Sequence, residues 1–204
     1  MYFQITTKCN MLCPHCGMNS TEKGEDMDFE LFKKHIDYAA ECEDFLTLGG
    51  GEPTMHPQWD IFLGYAIVSG VNFGVITNGK LTKEALRLAS FMRQGLVSGG
   101  LSQDLYHERI SQKVVDAFSN IDYLWEVKRI SNIGRAKING IADSDMCLTN
   151  DLILTPSGRI KWCACEDAPY LAMETIDPPH SEYSCYSEYR DAIENGVEYI
   201  TEIG

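Results

Sequence analysis

Short apolar runs and amphipathic stretches alternate along most of the chain. Tyr2 to Thr6 alternates and carries aromatic and β-branched residues, which predicts a strand delivering its C-terminal end to Cys9. From Asp28 to Ala40 the residues Phe29, Phe32, Ile36, Ala39 and Ala40 recur at helical spacing, with Asp28 placed as the N-cap. Phe45 to Leu48 predicts a strand that ends in three glycines, and Trp59 to Val68 a helix. The strand Asn72 to Ile76 runs into Thr77-Asn78-Gly79. Leu81 to Met92 is helical, Gly95 to Leu101 is the next strand, Ser111 to Phe118 a helix and Tyr123 to Ile130 a strand. Strand, loop and helix in repeated order argue for a parallel sheet with covering helices.

After Asn139 the pattern changes. Leu152 to Leu154 and Arg159 to Trp162 flank Thr155-Pro156-Ser157-Gly158, a hairpin turn with cysteines on both sides. Residues 166 to 185 carry prolines and no periodicity, and a final helix is expected near Glu188 to Ile200. The division is therefore a domain over 1–140 and a small β appendage with its own metal ligands over 141–204.

The chain has 204 residues, 44% of them hydrophobic, enough for one α/β core and an appendage. Acidic residues outnumber basic ones by 30 to 17, a formal charge of −13, which argues against a nucleic-acid partner. Neither a secretory signal nor an apolar run of the roughly eighteen residues a membrane span needs is visible. A cytoplasmic protein is expected. In that reducing compartment eight closely spaced cysteines point to metal before disulfides.

Cys9, Cys13 and Cys16 form C-x3-C-x2-C directly after the first strand, so one loop can wrap three thiolates round one cluster. On a four-iron cube, three thiolates leave one iron open to an exogenous ligand. The competing reading of the spacing is a zinc site completed by His15 or a distant cysteine. Gly50-Gly51-Glu52-Pro53 closes the next strand. Its glycines let backbone approach a ligand, and Glu52 has the chemistry to accept from an ammonium group.

These two motifs, with His15 just before the third cysteine, resemble the radical S-adenosylmethionine (SAM) family. The resemblance implies a [4Fe-4S] cluster on Cys9, Cys13 and Cys16, SAM on its open iron, and contact between the Gly50, Gly51 and Glu52 segment and the methionyl amino group. Thr77-Asn78-Gly79 resembles the family's TNG segment. Ser102-Gln103-Asp104-Leu105-Tyr106-His107 resembles a segment supplying a ribose contact, from Ser102, with Asp104 in the cofactor site. Ile133-Gly134-Arg135-Ala136 resembles a GRA turn beside the adenosyl group. All fall at C-terminal ends of expected strands, the face where parallel α/β barrels keep their sites. The implied fold is a shortened partial (β/α) barrel, because only one strand fits between Phe118 and Gly134.

Cys147, Cys163, Cys165 and Cys185 remain, with Gly158 in a C-x10-G-x4-C pattern that resembles the start of the family's Twitch and SPASM modules. The resemblance implies a second, auxiliary [4Fe-4S] cluster saturated by four thiolates; structural zinc on the same residues is the alternative. Cys163 and Cys165 are separated by one residue, an unusual spacing that leaves open which of the two ligates. Cys42 reads as a small buried hydrophobe, and His35, His56 and His180 are assigned no role.

The implied reaction is one-electron cleavage of SAM to a 5′-deoxyadenosyl radical that abstracts hydrogen from a substrate. No side chain is assigned as catalytic, since the cofactors carry the chemistry. The first expectation is oxidation or crosslinking of a peptide or protein side chain, with a flavodoxin- or ferredoxin-type electron donor and a separate peptide-recognition partner. The second is a small metabolite such as an amino sugar or nucleoside. The third is a zinc-binding interaction module without catalysis.

Overall fold

A computed structural model describes residues 1–41, 45–121, 129–144 and 152–161, together with the backbone of 124–125. Its single sheet has the order β5-β4-β3-β2-β1-β6-β7. β1 (Tyr2–Thr6), β2 (Phe45–Gly50), β3 (Asn72–Thr77), β4 (Ser98–Ser102) and β5 (Leu124–Trp125) run parallel, each beside its neighbour in sequence. Such singly wound order puts all the loops that follow strands at one end, as a barrel wall does.

Between these strands lie α1 (Phe29–Glu41), α2 (Trp59–Ser69), α3 (Thr82–Arg93) and α4 (Gln112–Ser119). The periodic apolar positions explain the packing. Phe3 and Ile5 of β1, Leu46 and Leu48 of β2, Val75 of β3 and Leu101 of β4 are buried in one core with Phe32 and Ile36 of α1, Phe62 of α2, Leu88 of α3 and Phe118 of α4. Phe32 stacks on Phe62 with ring centroids 4.2 Å apart, which locks α1 to α2. Asp28 caps α1 as expected, its Oδ1 accepting from the Glu30 N–H at 2.8 Å.

Three boundaries differ from the sequence pattern. Gly95, expected to open a strand, ends α3 instead: it has φ 71°, and the Leu96 N–H reaches back to the Phe91 carbonyl at 3.0 Å. This is the glycine C-terminal cap that a left-handed residue permits. Residues expected to form only a turn make a short helix, α5 (Gly134–Asn139). The hairpin around Thr155 to Gly158 is present as β6 (Ile153–Leu154) and β7 (Ile160–Lys161), antiparallel to each other. β6 also pairs in parallel with β1, Tyr2 opposite Ile153, so the hairpin continues the main sheet.

Cys42, Cys147, Cys163, Cys165, His180, Cys185 and the expected C-terminal helix lie outside the described residues. Among the described residues, no helix is long and apolar enough to cross a membrane.

Candidate functional site

The segment from Thr7 to Met27 leaves β1, carries the three cysteines and returns to its starting point. The Thr7 N–H donates to the Glu25 carbonyl at 2.9 Å, Cys9 N–H to the Thr21 carbonyl at 2.7 Å, and Met27 N–H to the Ile5 carbonyl at 2.8 Å. Asp26 fastens the same neck with its side chain, accepting from Thr6 Oγ1 at 2.7 Å and from the Lys8 ammonium. The loop lies over the face of β1 opposite the helices, where Gln4 Nε2 sits 3.2 Å from the Met18 sulfur.

Cys9, Cys13 and Cys16 are free thiols brought near one another. Burial pushes the Cys13 thiol up to about 11, and the neighbouring charges of Cys9, Cys16 and Asp104 add to it. Burial also raises Cys9, with Glu52 and Cys16 adding, against the lowering effect of the Met11 N–H and the Asn78 amide. Two thiols, Cys9 and Cys13, that resist ionising in the bare chain fit a group that brings positive charge with it. Among the described residues, three ligand atoms lie within 4.8 Å of one another only in His15, Asp104 and His107, not in the three thiols.

The glycine loop after β2 meets this segment backbone to backbone. Gly51 N–H donates to the Thr6 carbonyl and Glu52 N–H to the Lys8 carbonyl, both at 2.8 Å. A Cβ on Gly51 would lie 2.2 Å from the Lys8 oxygen and 2.9 Å from Cys9 Cβ, so only glycine allows the approach. Tyr2, not singled out by the sequence, places its hydroxyl 2.6 Å from the Gly50 nitrogen and 3.2 Å from its oxygen.

Glu52 is 1% exposed, and its carboxylate accepts four hydrogen bonds. One oxygen accepts from the Thr54 N–H and hydroxyl and from Thr77 Oγ1; the other accepts the Asn78 N–H at 2.7 Å. Burial nonetheless raises the carboxyl above its ordinary range, with all four bonds opposing. The side chain therefore joins the loops after β2 and β3, with one donor on Oε2 against three on Oε1. Asn78 in turn sends Nδ2 to Asn10 Oδ1 at 3.0 Å and to the Cys9 sulfur at 3.7 Å.

Ser102 ends β4, half-buried. Just beyond it Asp104 stands between two imidazoles, 3.2 Å from His15 Nε2 and 2.9 Å from His107 Nδ1, while its Oδ1 accepts the Tyr106 N–H at 2.8 Å. His15 packs on Tyr106 with ring centroids 5.1 Å apart. Burial holds its imidazole below the ordinary value, Asp104 opposing and the charges of His107 and Arg135 adding.

Gly134 lies against the end of the cysteine loop. A Cβ there would lie 2.3 Å from the Gly17 oxygen, and the next residue, Arg135, donates its N–H to the Cys16 carbonyl at 2.9 Å. His56, assigned nothing from sequence, is buried with Nε2 3.0 Å from the Met27 carbonyl and Nδ1 accepting the Gln58 N–H. The structure thus gathers Cys9, Cys13, Cys16, His15, Gly50, Gly51, Glu52, Thr77, Asn78, Asp104 and Gly134 at one end of the sheet.

Comparison with known proteins agrees with this geometry. A tungsten-containing aldehyde ferredoxin oxidoreductase cofactor-modifying protein of Pyrococcus furiosus is 37% identical over 92 residues, 43% of this chain and 26% of that protein. The antilisterial bacteriocin subtilosin biosynthesis protein AlbA of Bacillus subtilis is 31% identical over 123 residues, 57% of this chain and 25% of that protein. The chain thus spans about a quarter of the length of these curated relatives. A crystal structure of BtrN in complex with AdoMet and 2-DOIA shares the fold, with TM-score 0.55 and 16% identity over 80% of this chain and 72% of that one. The model of the radical SAM superfamily matches residues 3–142, so the chain belongs to that superfamily, whose members use a [4Fe-4S] cluster and SAM.

Proposed function

We propose that Cys9, Cys13 and Cys16 hold a [4Fe-4S] cluster with one iron open to SAM, and that the chain uses the pair to oxidise or crosslink a peptide or protein side chain. The observation that carries the cofactor assignment is convergence. Three free thiols, the glycine loop and Asn78 meet at the ends of β1, β2 and β3, with Gly51 pressed against Lys8 and Asn78 on Cys9. When bound, the cofactors supply one-electron cleavage of the S–C5′ bond and a 5′-deoxyadenosyl radical able to take hydrogen from an unactivated C–H bond.

The residues of the chain bind, orient and exclude water. Gly50 and Gly51 offer backbone to the methionyl end, unobstructed by Cβ atoms. Glu52 and Thr77 fix that loop at the methionyl end, and Asn78 steadies the Cys9 sulfur. His15, Ser102 and Asp104 form the adenosyl side, and Gly134 acts through the cysteine loop.

The peptide reading draws on the relative named for bacteriocin biosynthesis. It also draws on the hairpin whose return strand β7 runs toward Cys163 and Cys165. In this reading residues 141–204 form a Twitch-like module in which Cys147, Cys163, Cys165 and Cys185 bind an auxiliary [4Fe-4S] cluster. Electrons come from a flavodoxin- or ferredoxin-type donor in the cytoplasm, and a recognition partner presents the peptide. A small cationic metabolite is the second reading, favoured by the formal charge of −13.

Anaerobic reconstitution with iron and sulfide, followed by measurement of 5′-deoxyadenosine from SAM, tests the proposal. Brown protein that forms 5′-deoxyadenosine under strong reductant supports it. Colourless, zinc-loaded protein that forms none rejects it.

A further inference from the structure

The cysteine loop is gripped from behind by a helix far away in sequence. Arg135 Nη1 donates to the Cys13 carbonyl at 2.8 Å, across 122 residues of chain, and Nη2 donates to the Ser20 carbonyl. The Arg135 backbone N–H takes the Cys16 carbonyl at 2.9 Å, and Asn139 Nδ2 takes the Pro14 carbonyl at 2.9 Å. Gly134 makes the approach possible with φ 52° and no Cβ. The carbonyls of Cys13, Pro14, Cys16 and Ser20 are thereby held by donors that are themselves no part of the loop.

The guanidinium is planar and its donors are set at fixed angles, so it holds Cys13 and Ser20 at one separation, which a single ammonium cannot do. α5, for its part, has six residues, too few to persist alone, and Lys137, Ile138 and Asn139 are exposed. These bonds, with Ile133 packed at Gly17 and Ala136 buried, join it to the loop. Loop and helix therefore order each other.

We propose that Arg135, seconded by Asn139, is a positioning residue that keeps the Cys13-to-Ser20 segment in its cluster-binding form before iron arrives and slows loss of the cluster afterwards. The second half rests on the cofactor assignment above; the first does not. Hydrogen exchange of the metal-free chain, read by mass spectrometry on peptides, tests the first half in wild type, Arg135→Lys and Arg135→Ala. Peptides covering residues 10–21 should exchange about tenfold faster or more in Arg135→Ala, given the strength of charge-assisted bonds, with Arg135→Lys between. Peptides of β1 to β4 should be unchanged, which separates local loosening from general destabilisation. Asn139→Ala supplies the same comparison in milder form should Arg135→Ala not fold.

Release of iron to a chelator from reconstituted protein tests the second half, with Arg135→Ala expected to lose it about tenfold faster. Equal exchange of the 10–21 peptides in wild type and variants overturns the clasp. Equal release overturns its role in retention, and wild-type protein that takes up no iron and sulfide overturns that role together with the cysteine assignment.

Discussion

The Glu52 carboxylate accepts the backbone N–H of Asn78 at 2.7 Å, tying the end of β2 to the end of β3 directly beneath the cysteine loop. Because the other oxygen already serves three donors, this buried acid acts as a strut between two loops.

Glu52→Gln puts an N–H2 where donors already point. Leaving one of them unsatisfied in a buried site costs about 1–3 kcal/mol. A denaturant titration of the metal-free chain should show a loss of that size, and SAM affinity of the reconstituted variant should fall with it. An unchanged midpoint would mean that the loop can turn its carboxylate to solvent.

The glycines divide cleanly into those that allow an approach and those that do not. Gly51→Ala should abolish stable cluster binding, since its Cβ would collide with the Lys8 backbone, while Gly64, exposed in α2, has nothing within 4 Å of a Cβ. Gly64→Ala should instead stabilise the chain by about 0.5–1 kcal/mol through helix propensity. Iron content and thermal midpoint of the two variants, measured side by side, check both.

At the neck of the cysteine loop, burial disfavours the Asp26 charge, but the bonds from Lys8 and Thr6 outweigh it and hold the carboxyl below its ordinary 3.8. A carboxyl whose folded value is lowered stabilises the fold fully above its unfolded value, and the gain disappears as pH falls through the folded one. Asp26→Asn should therefore cost stability at neutral pH, by about 1 kcal/mol for a part-exposed pair. The difference from wild type should shrink below about pH 4. A constant difference across that range would remove the charge from the explanation.

If the two cysteine groups have separate duties, two alanine variants part company. Cys13→Ala should lose SAM cleavage altogether. Cys163→Ala should retain uncoupled cleavage in part and lose turnover of the true substrate. Equal loss of cleavage in both, with folding intact, would contradict the division.

Much of this was legible in the sequence because it rests on periodicity and local spacing. The helical spacing of Phe29, Phe32 and Ile36 marked α1, and Cys9, Cys13 and Cys16 lie on one loop that any strand-to-helix connection would present at the sheet end. What escaped notice depends on pairing at long range. Nothing in the neighbourhood of Arg135 announces that it reaches the Cys13 carbonyl, and Ile153–Leu154 is too short to show that it would lie against β1. Glu52 illustrates a third kind of gap. Its acidic type suggested a ligand for an ammonium group, and the four donors that also tie it between the loops after β2 and β3 could not be read from residue type.

The central claim is an iron site that the polypeptide leaves open and SAM fills. Electron paramagnetic resonance of the reduced, reconstituted chain, recorded without and then with SAM, addresses it directly. The account predicts a [4Fe-4S] signal that changes shape on addition of SAM in wild type and is missing its SAM-responsive component in Cys13→Ala. A signal indifferent to SAM, or protein that carries zinc and gives no signal, would contradict it.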